Sequence, residues 1–459
     1  MAPQTIGGSS SLHKILGFLG FSSALALPIW AYALVLSATR NTALFPIPTI
    51  GLIVANLALI RLVSRDDPLL KRLMLTGYGY RFLAVGGYIV VLLAIYGVGD
   101  ALLYHEQGAL MATQAREYGH YPALFEYPGA VFIMRLTSYV FLLVGDSLVP
   151  GMLLYGSIAF WGAFLFLDAF HSAFPRRDPT LIALLLFFLP SMVFWTSSIG
   201  KDAPMFLLSG VVCAAYARLL DRFHPLSFGL LLGALWLISR IRPHVALMLA
   251  ASALAALLLS RGLPRLSQRA SRTIGFALLA AATLLLLPRV EEFLRLESLS
   301  LASSREFLEW QLTMTTRGGS SFGSTGSFFG RVLASPLLLV RPFPWEIHNL
   351  PSVFAAMENV LIVAMAWVNR HSLLINLRTA RSHPLFVFAL SFSALFVLAF
   401  SGIGNFGILV RQRVMLLPWI LILLTRVEDR EEVVPLENDP EPEGRTPSQP
   451  LETTATGTG

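Results

Sequence analysis

The stretch PLSFGLLLGALWLISRIRPHVALMLAASALAALLL, residues 225–259, decides how the chain is read. Its two apolar runs, 225–239 and 243–259, approach the length a bilayer demands and flank Arg240, Ile241, Arg242, Pro243 and His244. Two membrane-length segments joined by a five-residue basic turn predict a helical hairpin in lipid. The simplest topology puts that turn outside the cytoplasm, against the usual preference of Lys and Arg for cytoplasmic loops. A short outer loop that keeps two Arg and a His implies an anionic partner.

Composition extends that reading to the whole chain. With 55% hydrophobic and 13% charged residues over 459 positions and a mean hydropathy of +0.67, the chain is far too apolar for an ordinary soluble domain. Its one cysteine, Cys213, lies inside an apolar run and excludes a disulfide framework or a Cys-ligated metal site. The pI near 9.7 comes from basic residues in short loops between spans, with no nucleic-acid-binding motif, so no nucleic-acid partner is expected. Residues 426–459 carry nine acidic residues against three Arg, interleaved with Pro, Thr and Gly, and are expected to form a disordered acidic cytoplasmic tail.

Apolar runs near 15–38, 44–63, 82–99, 148–170, 179–197, 203–220, 225–239, 243–259, 273–288, 351–368, 384–401 and 408–425 predict an all-α, polytopic membrane helix bundle of about twelve transmembrane helices. Basic connections at Arg61 to Arg81, Arg176 to Arg177, Arg261 to Arg272 and Arg370 to Arg381 go to the cytoplasm, and both termini follow. The segment Val131 to Gly145 carries Arg135 and is short. It is expected to lie at the outer interface rather than cross, which places 100–147, 198–202, 240–244, 289–350 and 402–407 outside. The Gly- and Ser-rich stretch Arg317 to Gly330 serves either as a mobile cover over a ligand or as a plain connector.

Several polar residues stand at the outer boundary. Asp100, just after the third run, is either a helix cap or a general base, with Tyr104, His105 and Glu106 next to it. No pair there has metal-ligand spacing with a third partner, so no convincing metal motif exists, and a divalent cation stays open. Lys201 and Asp202 sit in a tight turn that serves equally as an anion seat or as the cap of the next helix, with Pro204 near its start. Arg240, Arg242 and His244 are joined by Arg331, Arg341 and His348 in the last large loop and by Arg411 and Arg413 at the final span. Guanidinium forks suit phosphate, whereas a single Arg near a helix end is by default a headgroup anchor. Glu358 and Asn359 fall inside the tenth run, where pairing of the carboxylate with an Arg is expected.

In layout, residues 82–425 resemble the C-type (GT-C) membrane glycosyltransferases: many spans, an acidic residue after an early span, a long first external loop with interface helices, and outer loops carrying Arg. The resemblance implies an inner (plasma) membrane enzyme of cell-envelope glycan biosynthesis that takes a polyprenyl-phosphate-linked sugar as donor and a glycan or lipid as acceptor. It implies Asp100 as base, with Glu106 the next acid, and Lys201, Arg240, Arg242, His244, Arg411 and Arg413 as candidates for the lipid phosphate. It also divides the chain into an N-terminal transmembrane hairpin and cytoplasmic loop (1–81), a catalytic domain (82–425) and the tail (426–459). The ending Asn405, Phe406, Gly407, Arg411, Gln412, Arg413 and Pro418 is similar to exopolysaccharide and O-antigen polymerases, which use a polyprenyl-diphosphate glycan. A lipid flippase or solute transporter is the non-enzymatic alternative, distinguished by internal repeats, broken helices and midplane charges.

Overall fold

The structure is a computed structural model that describes residues 26–38, 46–221, 223–260, 269–294, 301–316, 330, 333, 335–347 and 350–425. The expected tail at 426–459, most of the Gly- and Ser-rich loop, Arg331 and His348 lie outside the described residues. Among the described residues the fold is all-helical, in agreement with the sequence. Three helices are long and apolar enough to cross a bilayer: Pro68–Tyr96, Leu148–Ala173 and Asp202–Asp221. Two bent pairs, Ser352–Val368 with Arg370–Arg378 (72°) and Phe406–Arg413 with Leu417–Leu423 (59°), raise the number to five if each pair is one span. Pro225–Ile241, Pro243–Leu259 and Pro384–Ala399 are apolar but shorter. At about 1.5 Å per residue such helices reach about 25 Å, less than a hydrocarbon core of about 30 Å.

In chain order the helices are α1 (Ala26–Ala38), α2 (Pro46–Val63), α3 (Pro68–Val90), α4 (Asp100–Tyr118), α5 (Ala130–Val144), α6 (Leu148–Ala173), α7 (Thr180–Phe188), α8 (Pro190–Trp195), α9 (Asp202–Asp221), α10 (Pro225–Ile241) and α11 (Pro243–Leu259). Then come α12 (Arg269–Leu294), α13 (Leu301–Thr315), α14 (Leu350–Val368), α15 (Arg370–Arg378), α16 (Pro384–Ala399), α17 (Phe406–Arg413) and α18 (Leu417–Leu423). Their starts are written in the sequence. Asp67 accepts from Leu69 N and Leu70 N, both at 2.9 Å, with Pro68 in the first turn of α3, and Asn405 caps α17 through Gly407 N at 2.9 Å. A π-helical turn, Val91–Tyr96, extends α3 until Gly97, at φ +67, ends it in the left-handed conformation that favours glycine.

The core crossing is α6 against α9. Cβ atoms added to Gly162 or Gly210 would stand 2.9 Å from the Leu207 backbone or 2.7 Å from the Gly162 carbonyl, so two small residues allow the backbones to touch. Trp419 of α18 is fully buried among Phe166 of α6 and Phe388 and Phe392 of α16, with ring centroids at 5.5, 4.6 and 5.3 Å. That packing ties the last bent pair to the central helices.

Several boundaries differ from the sequence reading: the connection expected at Arg370 to Arg381 is largely helix α15, the outer loop expected from Arg289 is still helical to Leu294, and the run 408–425 is bent into α17 and α18. The connection expected at Arg61 to Arg81 is only a short turn before Pro68. Arg81 is 3% exposed, thirteen positions into α3, and its Nη1 donates to Val193 O at 2.8 Å, to Ser197 Oγ at 3.4 Å and to Thr196 Oγ1. The polar GYGY run at 77–80 interrupts the hydropathy, but Gly77 is there to meet Phe187 of α7 and Tyr78 to meet Phe160 of α6, so these residues are helical. The run at 179–197 is broken at Leu189 and Pro190 into α7 and α8, as proline lacks the N–H that would continue the helix. The segment that includes Val131 to Gly145 forms α5, fifteen residues long, packed on α4 where Gly108 lies against Thr137.

Candidate functional site

Four stretches far apart in sequence meet where α4, α9 and α11 begin and α17 ends. Asp202, the first residue of α9, is the centre. Its side chain is 3% exposed; Oδ1 accepts from Arg242 Nη2 at 2.9 Å and Oδ2 from Arg411 Nε at 2.5 Å. Arg411 also donates from Nη1 to Asp100 Oδ2 at 2.9 Å, and this carboxylate is 56% exposed. Arg242 Nη1 donates to Gln412 Oε1 at 2.8 Å and contacts Met415 Sδ at 3.1 Å. One buried carboxylate thus holds two guanidinium groups, from the α10–α11 turn and from α17, while a second, open to solvent, shares one of them.

Lys201 joins this cluster electrostatically, under the charges of Arg242, Asp100, Asp202 and Arg411, and burial together with Arg242 pushes its ammonium down to about 8. Among the described residues it has no ion-pair partner within 4 Å. The turn that carries it is fixed from below by the Arg81 bonds to Val193, Thr196 and Ser197. Tyr104, one turn into α4, is buried beside the same charges, and burial with Asp100 pushes its phenol up to about 12, so it is a neutral donor at physiological pH. Three cations, Lys201, Arg242 and Arg411, face two carboxylates, and three helix N-termini add positive dipole ends. The cluster carries one formal positive charge in excess and favours an anion.

The structure therefore brings Asp100, Lys201, Arg242 and Arg411 together. It places Glu106 elsewhere: six residues further along α4, about 9 Å of rise, it is exposed and on another face. Arg240, on the last turn of α10, points away from Arg242, which lies in the non-helical link to α11; Arg240 donates to Phe125 O, while its own carbonyl accepts from Gly129 N at 2.8 Å. His244 packs its ring near Phe293 and Phe400, at 5.9 and 5.8 Å, and its buried Nδ1 makes no hydrogen bond. Arg413, 2% exposed, belongs to a second buried group: it donates to Leu339 O at 2.9 Å and lies 3.5 Å from Glu358, whose carboxylate accepts from Ser191 N at 2.7 Å and Ser191 Oγ at 2.5 Å. Asn359 donates to Pro342 O at 2.9 Å. The expected pairing of Glu358 with an Arg is therefore present, and Arg413 is a structural tie.

Sequence reasoning left out Asp202 as an anchor, Tyr104 and Gln412 as members and Arg81 as a support. For Asp202 the signal existed: an acid at the entry of a strongly apolar helix is expensive to bury alone and so calls for cations. Among the described residues no group of three His, Cys, Asp or Glu stands together. Both carboxylates of the cluster are held by arginine, and the polar groups left over on Lys201, Arg411 and Tyr104 are donors. No protein-family model matches this chain, and no curated protein or solved structure matches it.

Proposed function

We propose that the protein is an integral membrane glycosyltransferase, similar in plan to the C type, that transfers a sugar from a polyprenyl-phosphate-linked donor at the extracytoplasmic face. In this reading the chain crosses the plasma membrane about twelve times with both termini in the cytoplasm, and the acceptor is a glycan or lipid of the cell envelope. One observation supports it above the others: an accessible carboxylate, Asp100, stands 2.9 Å from Arg411 in a cluster whose cations outnumber its acids. Asp100 takes the proton of the acceptor hydroxyl as its oxygen attacks the anomeric carbon. The bond from that carbon to the phosphate oxygen breaks, its electron pair stays on the phosphate, and Lys201, Arg242 and Arg411 hold the added charge.

General-base catalysis contributes about 10²- to 10⁴-fold, so Asp100→Asn is expected to lower transfer by at least about tenfold with expression and melting midpoint unchanged. Undiminished turnover in that variant removes Asp100 from the chemistry.

A carrier of anionic lipid or solute is favoured by a different observation. The bent pairs at 59° and 72°, with Arg81 and the Arg413–Glu358 pair buried within helices, are features of transport proteins. Proteoliposomes that move a lipid phosphate between leaflets without glycosyl transfer would establish that reading in place of the first.

A further inference from the structure

Gly200 precedes Lys201 in the turn before α9 and is buried. A Cβ built on it would lie 3.7 Å from Arg411 Nη2 and 3.8 Å from the Tyr104 ring. These are ordinary van der Waals distances, so the absent side chain leaves room facing both groups rather than relieving a clash. The side chains that meet there, and Lys201 next in the chain, carry unused donors. Arg411 spends Nε on Asp202 and Nη1 on Asp100, and among the described residues Nη2 has no acceptor. The Tyr104 hydroxyl and the Lys201 ammonium likewise have none, although Tyr104 is 3% exposed. Three donors without acceptors thus share one cluster with excess positive charge, and two of the side chains that carry them, Arg411 and Tyr104, border one small residue.

We infer that Gly200 forms the floor of a seat for a phosphoryl group, whose oxygens accept from Arg411 Nη2, the Tyr104 hydroxyl and the Lys201 ammonium. The inference rests on the proposed phosphate-linked substrate, and adds Tyr104 and Gly200 as the residues that shape its site. It also sets an order of events. Of the two carboxylates on Arg411, Asp202 is enclosed and doubly paired, whereas Asp100 is more than half exposed and weakly held. An incoming phosphoryl group therefore competes with Asp100 and not with Asp202. Its arrival frees Asp100 beside the bound donor, so the donor precedes the acceptor.

The test uses the full-length protein in detergent at neutral pH, with ligand-dependent rise of the melting midpoint as readout and two probes, inorganic phosphate and decyl phosphate. Gly200→Ala has space for its methyl group, and Tyr104→Phe keeps the ring. Both are expected to melt like wild type without probe and to bind at least about tenfold more weakly, the loss expected when a charged hydrogen bond goes or the floor is filled. Similar affinity of wild type for the two probes assigns the seat to a free phosphate, and much tighter decyl phosphate binding assigns it to a lipid phosphate. Unaltered binding in Gly200→Ala overturns the seat while leaving a phosphate-linked substrate in place. Wild type that binds neither probe overturns both.

Discussion

Asp202 shows how much one residue organises. Removed from water, it is the counter-ion of the buried Arg242 and shares Arg411 with Asp100, and it aligns Arg411 so that one nitrogen reaches Asp100 and another faces Gly200. Lys201, the neighbour, is the variable charge. Burial and Arg242 push its ammonium from 10.5 down to about 8, so the affinity of the proposed anion seat is expected to be full below that pH and to fall as pH rises through it. Sulfate, whose charge is constant over this range, is expected to bind progressively more weakly from neutral to alkaline pH, while Lys201→Arg binds evenly across it. Titration calorimetry checks this, and an equal decline in both proteins contradicts the role. The sign for stability is opposite. Between about 8 and 10.5 the unfolded chain holds the proton that the empty folded site has released, so this group makes the unliganded protein more stable as pH rises. At this scale the sequence names most of the participants, Asp100, Lys201, Arg242 and Arg411, through their chemistry and position at helix ends. It does not separate them from Glu106, Arg240 and Arg413, since whether an Arg two residues from another shares its partner depends on helix phase and tertiary neighbours.

At the scale of elements, caps and apolar runs are local and therefore readable, while breaks and crossings are not. Pro190 divides α7 from α8, and the chain bends between α17 and α18 just after Arg411 and Arg413, which are two positions apart on α17 and therefore point into different groups. The run from Pro68 reads as partly loop because Gly77, Tyr78, Tyr80 and Arg81 lower its hydropathy; contacts with α6, α7 and α8 satisfy them within a continuous helix. The α6–α9 crossing makes a quantitative prediction. Gly162→Ala places a methyl 2.9 Å from the Leu207 backbone, which has no rotamer by which to give way. A loss of about 1–3 kcal/mol is expected in denaturant or thermal unfolding in detergent, against a small change for Gly233→Ala, whose surroundings are open. Equal stability of the two variants would mean that α6 and α9 do not touch through Gly162.

For the whole molecule the sidedness of the cluster is the decisive property, because in the proposed reaction donor and acceptor reach it from one side of the membrane. Ile241, within the basic turn, is only 1% exposed and is a poor reporter. Tyr121, in the α4–α5 connection, is 63% exposed, and Cys213 is fully buried and silent to reagents. Tyr121→Cys is therefore expected to react with an impermeant maleimide added outside intact cells, and reaction only after the inner face is opened would reverse the proposed orientation. The amino-acid sequence by itself determines that the chain is an all-helical membrane protein, where most helices begin, and which polar residues stand out of place, because burial of apolar runs and capping are local properties. Only the tertiary structure decides that Asp202 joins Arg242 to Arg411, that Asp100 shares the latter, and that Arg413 belongs with Glu358. Charge pairing in a low dielectric acts between residues up to 311 positions apart, and no local pattern encodes which pairs the packing of helices will bring within 3 Å.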